Sequence, residues 1–510
     1  MEMSDANTST ANTFRGLRRV PCCWPRPCWV RFKHAFHAKG LHGSHHGGHG
    51  LVDFANGRDN LDLRVKQPKP FLKMTNRWGH ETDLAIANFP ISGEPVAREL
   101  IHALVLVKSH AAAVNADMGI ISAEVAASIR RAAEEILAGE MADQFPVDVF
   151  QTGSGTSTNM NVNEVLAHRA SELLTATVHP NDHVNASQSS NDTFPSAIRV
   201  SASIAIVHQL LPTLGTLAAS LQTIALRHMD TIKMGRTHLM DAVPMTFGQE
   251  CSAWAAAVEN ATARIVGTLP RLCELPIGGT AVGTGLNSPA KFGAAVAERL
   301  STSTGVRFSE ASNHFEAQAT QDCVVETSAM LKVLAISLNK IAGDIRLLSS
   351  GPHGGLAEIS VPALQAGSSI MPGKINPVIA EVVQQVAAEV VGNDATITFA
   401  TASCSTLQLT TAMPVIGRSL LASIKLLTNA TEVFEARCVR GIEVDVAQML
   451  SFAMSSPAVV TALATRIGYD AAVKLAAEAA QAGLPMIEFL AGRGEHLDLL
   501  ELARPHPIDG

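Results

Sequence analysis

Residues 365–381 read QAGSSIMPGKINPVIAE. Ser368, Ser369, Lys374 and Asn376 stand there among glycines and prolines, directly ahead of a helical pattern that carries Glu381. A lysine and an asparagine beside the free N–H groups of a helix start suit an anion. A hydroxyl on a glycine-hinged loop can be brought to a substrate and withdrawn again. Three more polar islands share this makeup. TGSGTSTNMNVNE (152–164) offers Ser154, Thr156, Asn159 and Asn161. HPNDHVNASQSSNDTFP (179–195) offers His179, Asn181, Asp182, Ser189, Ser190 and Asn191, and GRTHLMDAVPMTFGQE (235–250) offers Thr237 and His238. Taken singly, such clusters ahead of helices are caps and turns, and a single histidine such as His238 is usually structural. Four of them, rich in neutral donors, holding Lys374 and almost free of surplus carboxylate, describe a pocket for carboxylates. The chain lacks a Walker loop, a dinucleotide G-x-G-x-x-G after a strand, and a Cys/His set with metal spacing. Neither cofactor nor metal is expected.

The elements that must position these islands are helices. The 510 residues are 47% apolar and 17% charged, with one Tyr and four Trp. Alanine, leucine and valine dominate, a composition that favours helix over strand. Residues 95–140 read as two amphipathic helices, the second capped by Ser122 and ended by Gly139. From about Val324 to Leu348, apolar residues recur at Leu331, Leu334, Leu338, Ile341, Ile345 and Leu348. That is a seven-residue repeat, the seam of a bundle crossed at a shallow angle. Leu420, Ile424, Leu427 and Phe434 keep a similar rhythm, as do Leu210, Leu214, Leu217, Leu221 and Ile224 despite Pro212. Ala-rich faces outside the seams predict helices covered on more than one side, hence a homo-oligomer.

Net charge of −7 argues against a nucleic-acid partner for the body of the protein. No run of 18 apolar residues stands in the chain, so no membrane partner is expected. Cys251, Cys273, Cys323, Cys404 and Cys438 are scattered in apolar surroundings and read as reduced thiols. The first 66 residues are basic and carry His42, His45, His46 and His49. They read as a disordered extension, compatible with a transit peptide. The expected location is cytoplasmic, or the mitochondrial matrix if that extension targets it. Beyond it we expect an N-terminal helical domain (67–187), a central long-helix bundle (188–445) and a small C-terminal helical domain (446–510).

From about Trp78 to the C-terminus the chain resembles class II fumarase, within the fumarase/aspartase superfamily. GSSIMPGKINP is similar to the superfamily signature, and SGTSTNMNVNE, HPNDHVNASQSSNDTFP, GRTHLMDAVPMTFGQE and IGGTAVGTGLN follow in family order. GRTH, with His238, favours a hydratase over an aspartate ammonia-lyase, although VPALQAGSSIMPGKINPV also reads well against the lyases. The resemblance implies an all-α, three-domain fumarase/aspartase-like fold that tetramerises into a helical core. Active sites would be shared between subunits, with a small dicarboxylate as substrate. It further implies Ser368 as base, with His238 and Glu381 on the opposite face. Substrate would be held by Ser154, Thr156, Asn159, Ser189, Ser190, Asn191, Thr237, Ser369, Lys374 and Asn376. His179, Asn181 and Asp182 resemble a peripheral anion site. Gln408 and Thr410 depart from the family's usual Glu and Asn, and Ala176 and Thr177 stand where a basic residue is common.

Overall fold

The computed structural model describes residues 76–504. The basic extension expected at 1–66, with His42, His45, His46 and His49, lies outside the described residues. Helices α1 (His80–Asn88), α2 (Arg98–Asp117), α3 (Ala123–Leu137) and α4 (Thr156–Leu174) come first. Ser122 caps α3 by accepting from the Val125 N–H at 3.3 Å, and Ala126, Ile129, Ala132, Ala133 and Ile136 bury one face. Gly139, with φ +100°, ends the turn that follows.

Next come α5 (Ser190–Ala205), α6 (Leu211–Arg227), α7 (Phe247–Leu272), α8 (Phe292–Thr304) and α9 (His314–Ala319). The long helices α10 (Asp322–Leu348), α11 (Val378–Cys404) and α12 (Met413–Arg437) complete the bundle. At 1.5 Å per residue α10 spans about 40 Å. All six residues of its expected seam, from Leu331 to Leu348, are buried, and α10 packs against α7, α11 and α12. The expected rhythm in α12 is buried as well, at Leu420, Ile424, Leu427 and Phe434. Leu210 to Ile224 differs from one plain helix. A π-helical turn, Ile206–Leu210, joins α5 to α6, and Pro212 falls in the first turn of α6. Its missing N–H costs little there.

One hydrophobic core runs from Val96 to Met449. A second joins Met234 to Ala453, Val459, Leu463, Met486, Phe489 and Leu499. That core is built from α13 (Val446–Ser455), α14 (Thr461–Ile467), α15 (Tyr469–Ala482), α16 (Met486–Ala491) and α17 (Leu499–Leu502). Strand is sparse. The longest pair is the antiparallel hairpin β1 (Ile232–Thr237) and β2 (Met240–Thr246), which makes the third polar island a hairpin before α7 begins.

The stretch Ser190–Arg227, 38 residues with a window of mean hydropathy 1.5, is long and apolar enough to cross a membrane by composition alone. It carries Asp192 and Arg199, both buried and hydrogen-bonded inside the protein. The window is 39% buried inside the chain, and its helices pack against α2, α7 and α12. Cys251, Cys273, Cys323, Cys404 and Cys438 are free thiols, and burial raises the pKa of Cys438 to about 12.

Candidate active site

The 365–377 segment closes on itself before α11 starts. The Gly367 N–H donates to the Lys374 carbonyl at 2.9 Å, and Asn376 Nδ2 donates to the Gly367 carbonyl at 2.9 Å. A Cβ on Gly367 would lie 2.3 Å from the Lys374 oxygen, so the closure demands glycine. Inside the closed loop, Ser368 Oγ accepts from the Ile370 N–H at 3.1 Å and the Met371 N–H at 3.0 Å. Two main-chain donors on one hydroxyl oxygen favour its alkoxide, which is what a serine needs to act as a base. Ser369 and Lys374 are exposed. Lys374, Asn376 and Glu381 line a cavity of about 1150 Å³ with Gly373, Ser349, Ser350 and Arg346. Arg346, in the last turn of α10, reaches within 4.0 Å of Glu381. Sequence reasoning missed it, because nothing in the α10 repeat marks one exposed arginine as facing a loop.

The first and second islands meet. Ser154 Oγ and Thr156 Oγ1 are 2.7 Å apart, and Thr156 Oγ1 and Ser190 Oγ 2.8 Å. Gly155 permits the approach: its φ is +74°, and a Cβ there would lie 2.3 Å from the Phe194 ring. Ser189 caps α5 in a reciprocal box with Asp192. Asn191 Nδ2 donates to the Ala281 carbonyl at 2.9 Å, tying in the IGGTAVGTGLN loop. Asp192 holds that loop too, accepting from the N–H groups of Gly278 at 3.1 Å and Thr280 at 2.9 Å. Burial pushes the Asp192 carboxyl up to about 6 against those hydrogen bonds. Beneath lies Lys108 of α2, fully buried. Burial lowers its ammonium to about 7, and the charge of Asp192 opposes that shift. Neither Lys108 nor Asp192 was among the expected site residues. The visible signal was a single lysine on the apolar face of LIHALVLVKSHAAAVN.

His238 and Leu239 form the two-residue turn between β1 and β2, with φ of +56° and +62°. Positive φ at both central residues matches the twist of a hairpin. Thr237 and His238 are exposed at its tip. The hairpin base is pinned: Arg236 donates to the buried Glu358 at 2.7 Å, Lys233 lies 3.2 Å from the same carboxylate, and Lys233 also contacts Glu250. The chain therefore presents three separate groups. Lys374, Asn376 and Glu381 form one, with Ser368 and Ser369 in the same loop but not lining the cavity; Ser154, Thr156, Asn159 and Ser189–Asn191 form a second, and Thr237 with His238 a third. Neither His238 nor Ser190 lines the Lys374 cavity. Among the described residues no group of three or more His, Cys, Asp or Glu is arranged to hold a metal.

A family described as lyase matches residues 72–392. The class II fumarate hydratase of Mycobacterium tuberculosis is 47% identical over 445 residues, 85% of this chain and 94% of that protein. The class II fumarate hydratase of Corynebacterium glutamicum is 50% identical over 407 residues, 80% and 86% of the two chains. The crystal structure of class II fumarase from Schistosoma mansoni superposes with a TM-score of 0.82 at 35% identity, covering 86% of this chain and 97% of that one. The chain belongs to the class II fumarase family.

Within this fumarase, the residues resembling a peripheral anion site form a cluster of their own. His179 Nδ1 accepts from the N–H groups of Asn181 at 3.3 Å and Asp182 at 3.1 Å, capping the π-turn Pro180–Val184. Asn161 is buried and donates to the Gln144 carbonyl at 3.0 Å, a structural role. The departure at 405–414 lies under the first island: the Met413 N–H donates to the Gly153 carbonyl at 2.9 Å. Thr410 is buried there, bonded to Ser405 at 2.8 Å and to the Ala319 carbonyl at 3.2 Å, whereas Gln408 is exposed.

Proposed function

We propose that this fumarase catalyses the reversible hydration of fumarate to (S)-malate. In the dehydration direction, Ser368 removes the proton from the carbon beside one carboxylate. The carbanion's charge passes into that carboxylate, making a doubly negative aci-form, and a site that steadies it lowers the barrier. Lys374 and Asn376 supply the stabilising donors. His238, charged and oriented by Glu381, gives its proton to the departing hydroxyl, which leaves as water. Thr156, Ser189, Ser190, Asn191 and Thr237, with Ser154, Asn159 and Ser369, hold the carboxylates by neutral hydrogen bonds.

The observation that carries this reading is Ser368 held over two main-chain donors in the same closed loop as Lys374. The three groups of site residues lie apart within one chain, so the reading requires several copies to build each site. A homotetramer supplies them. The long helices α10 and α11 leave Ile336, Val382, Val391 and Phe399 exposed, as faces awaiting a partner copy do.

The test is parallel assay of the purified full chain with malate, fumarate and aspartate, following fumarate absorbance and ammonium release. Malate and fumarate should interconvert without ammonium. Since one oxyanion donor contributes about 2.7–4 kcal/mol, Lys374→Ala should lower kcat at least ~100-fold. Ammonium from aspartate with no response to malate would overturn the reading.

A further inference from the structure

Lys108 has no part in the chemistry above, yet it is a fully buried lysine bonded to the turn that leads into Ser189 and Ser190. Its Nζ donates to Asn185 Oδ1 at 3.1 Å and Gln188 Oε1 at 3.4 Å. Asn185 Oδ1 is a hub, because it also accepts from Asn159 Nδ2 at 3.2 Å and Asn163 Nδ2 at 3.2 Å. The same asparagine donates to the Gln188 carbonyl at 3.2 Å, closing the turn that delivers Ser189 and Ser190. Asn159 Oδ1 is buried with no partner among the described residues, and the second N–H of Asn159 Nδ2 is the donor left for an anion.

Burying an ammonium costs several kcal/mol unless a close counter-charge returns it. Asp192, the carboxylate that acts on Lys108, is already occupied by the N–H groups of Ser189, Gly278 and Thr280. Lys108 gives its hydrogen bonds to neutral amides instead. Its charge is thus left to act upward, through the hub, on whatever anion the islands hold.

We propose that Lys108 is a positioning residue of the dicarboxylate site, orienting Asn159 through Asn185 and keeping positive charge beneath the Thr156 and Ser190 hydroxyls. This rests on the fumarase reading. The role differs from that of a pin for the 184–189 turn, because it depends on charge. Lys108→Met removes the ammonium and keeps the chain's volume. Asn185→Asp keeps Lys108 and every donor to the hub but cancels the charge; it also gives up the bond to the Gln188 carbonyl, and whatever that loss does to the fold shows in the melting temperature.

Steady-state kinetics of both full-length variants with malate and fumarate, beside thermal melting, decide it. Both variants should raise KM at least about tenfold while kcat stays within about threefold, because binding to substrate and transition state is lost alike. Lys108→Met should melt no lower than the parent. If Lys108→Met fails to fold, Asn185→Asp decides alone. Unchanged KM in Asn185→Asp, or a raised KM accompanied by a lowered melting temperature, overturns the proposal, as does a Lys108→Met enzyme that loses kcat and melting temperature together at constant KM. A parent protein inactive on both substrates sinks the fumarase reading instead, and is distinguishable from either result.

Discussion

Gly367→Ala isolates the loop closure from everything else in the molecule. The added Cβ would stand 2.3 Å from the Lys374 carbonyl oxygen, 2.8 Å from its carbon and 3.1 Å from the Asn376 nitrogen. An ordinary carbon–oxygen contact is about 3.3 Å, so the two ends of the loop must part by about 1 Å. Parting breaks the two hydrogen bonds between Gly367 and the Lys374–Asn376 segment, each 2.9 Å. Those contribute about 1 kcal/mol each. The larger effect is geometric, because a displacement of about 1 Å at reacting groups costs about 100-fold in rate. Spectrophotometric assay should therefore show kcat down about 100-fold. The melting temperature should fall by only a few degrees, because the loop is largely exposed and outside both cores. Gly373→Ala is the internal comparison. Its φ is +76° with nothing within 4 Å of a new Cβ, so it meets only the left-handed backbone cost of about 1–2 kcal/mol. A Gly367→Ala enzyme within threefold of the parent, or one no worse than Gly373→Ala, would refute the view that this closure sets the site.

Asp148 accepts from the N–H groups of Ser92, Gly93 and Phe150 at 2.7, 2.7 and 2.8 Å. Against the cost of burial, these bonds depress its carboxyl from 3.8 to about 2. The folded value is below the unfolded one, so the stabilisation is present above about pH 4 and lost as pH falls through about 2. Asp148→Asn should cost about 2 kcal/mol or more near pH 7, and denaturant titration should show the gap from the parent narrowing as pH falls to about 2. Leu338→Ala opens a cavity in the α10 seam and should cost about 2–5 kcal/mol by the same titration. Val391→Asp with Phe399→Asp places charges on the uncovered face of α11. Sedimentation should show smaller species, with activity lost in proportion, and a fully active assembly would exclude this face as the contact.

What the sequence showed well was whatever depends on period and local chemistry. The α10 repeat is legible because each seam residue faces one groove, so spacing alone predicts burial. Ser122 and Gly139 are legible because caps answer to backbone groups within four residues. The 206–210 π-turn and the β1–β2 hairpin were not. The first adds a residue to a helical ladder without changing composition. The second places His238 and Leu239 at positive φ with no glycine to announce it.

The site itself divides along the same line. Residues that would touch substrate sit in polar runs, and their types reveal the chemistry. The groups that hold them come from far along the chain and read as ordinary in their own helices. Glu358 fastens Arg236 across 122 residues, and Lys108 reaches Asn185 across 77. A cap or turn can be inferred from its neighbours, but a buried cation under a distant loop is determined only when both are packed. Ser190 and His238 stand on segments secured by the buried carboxylates of Asp192 and Glu358, whereas Ser368 stands on an exposed loop closed by its own main chain. The cost of ordering the Ser190 and His238 segments is thus met in folding rather than at the moment of catalysis.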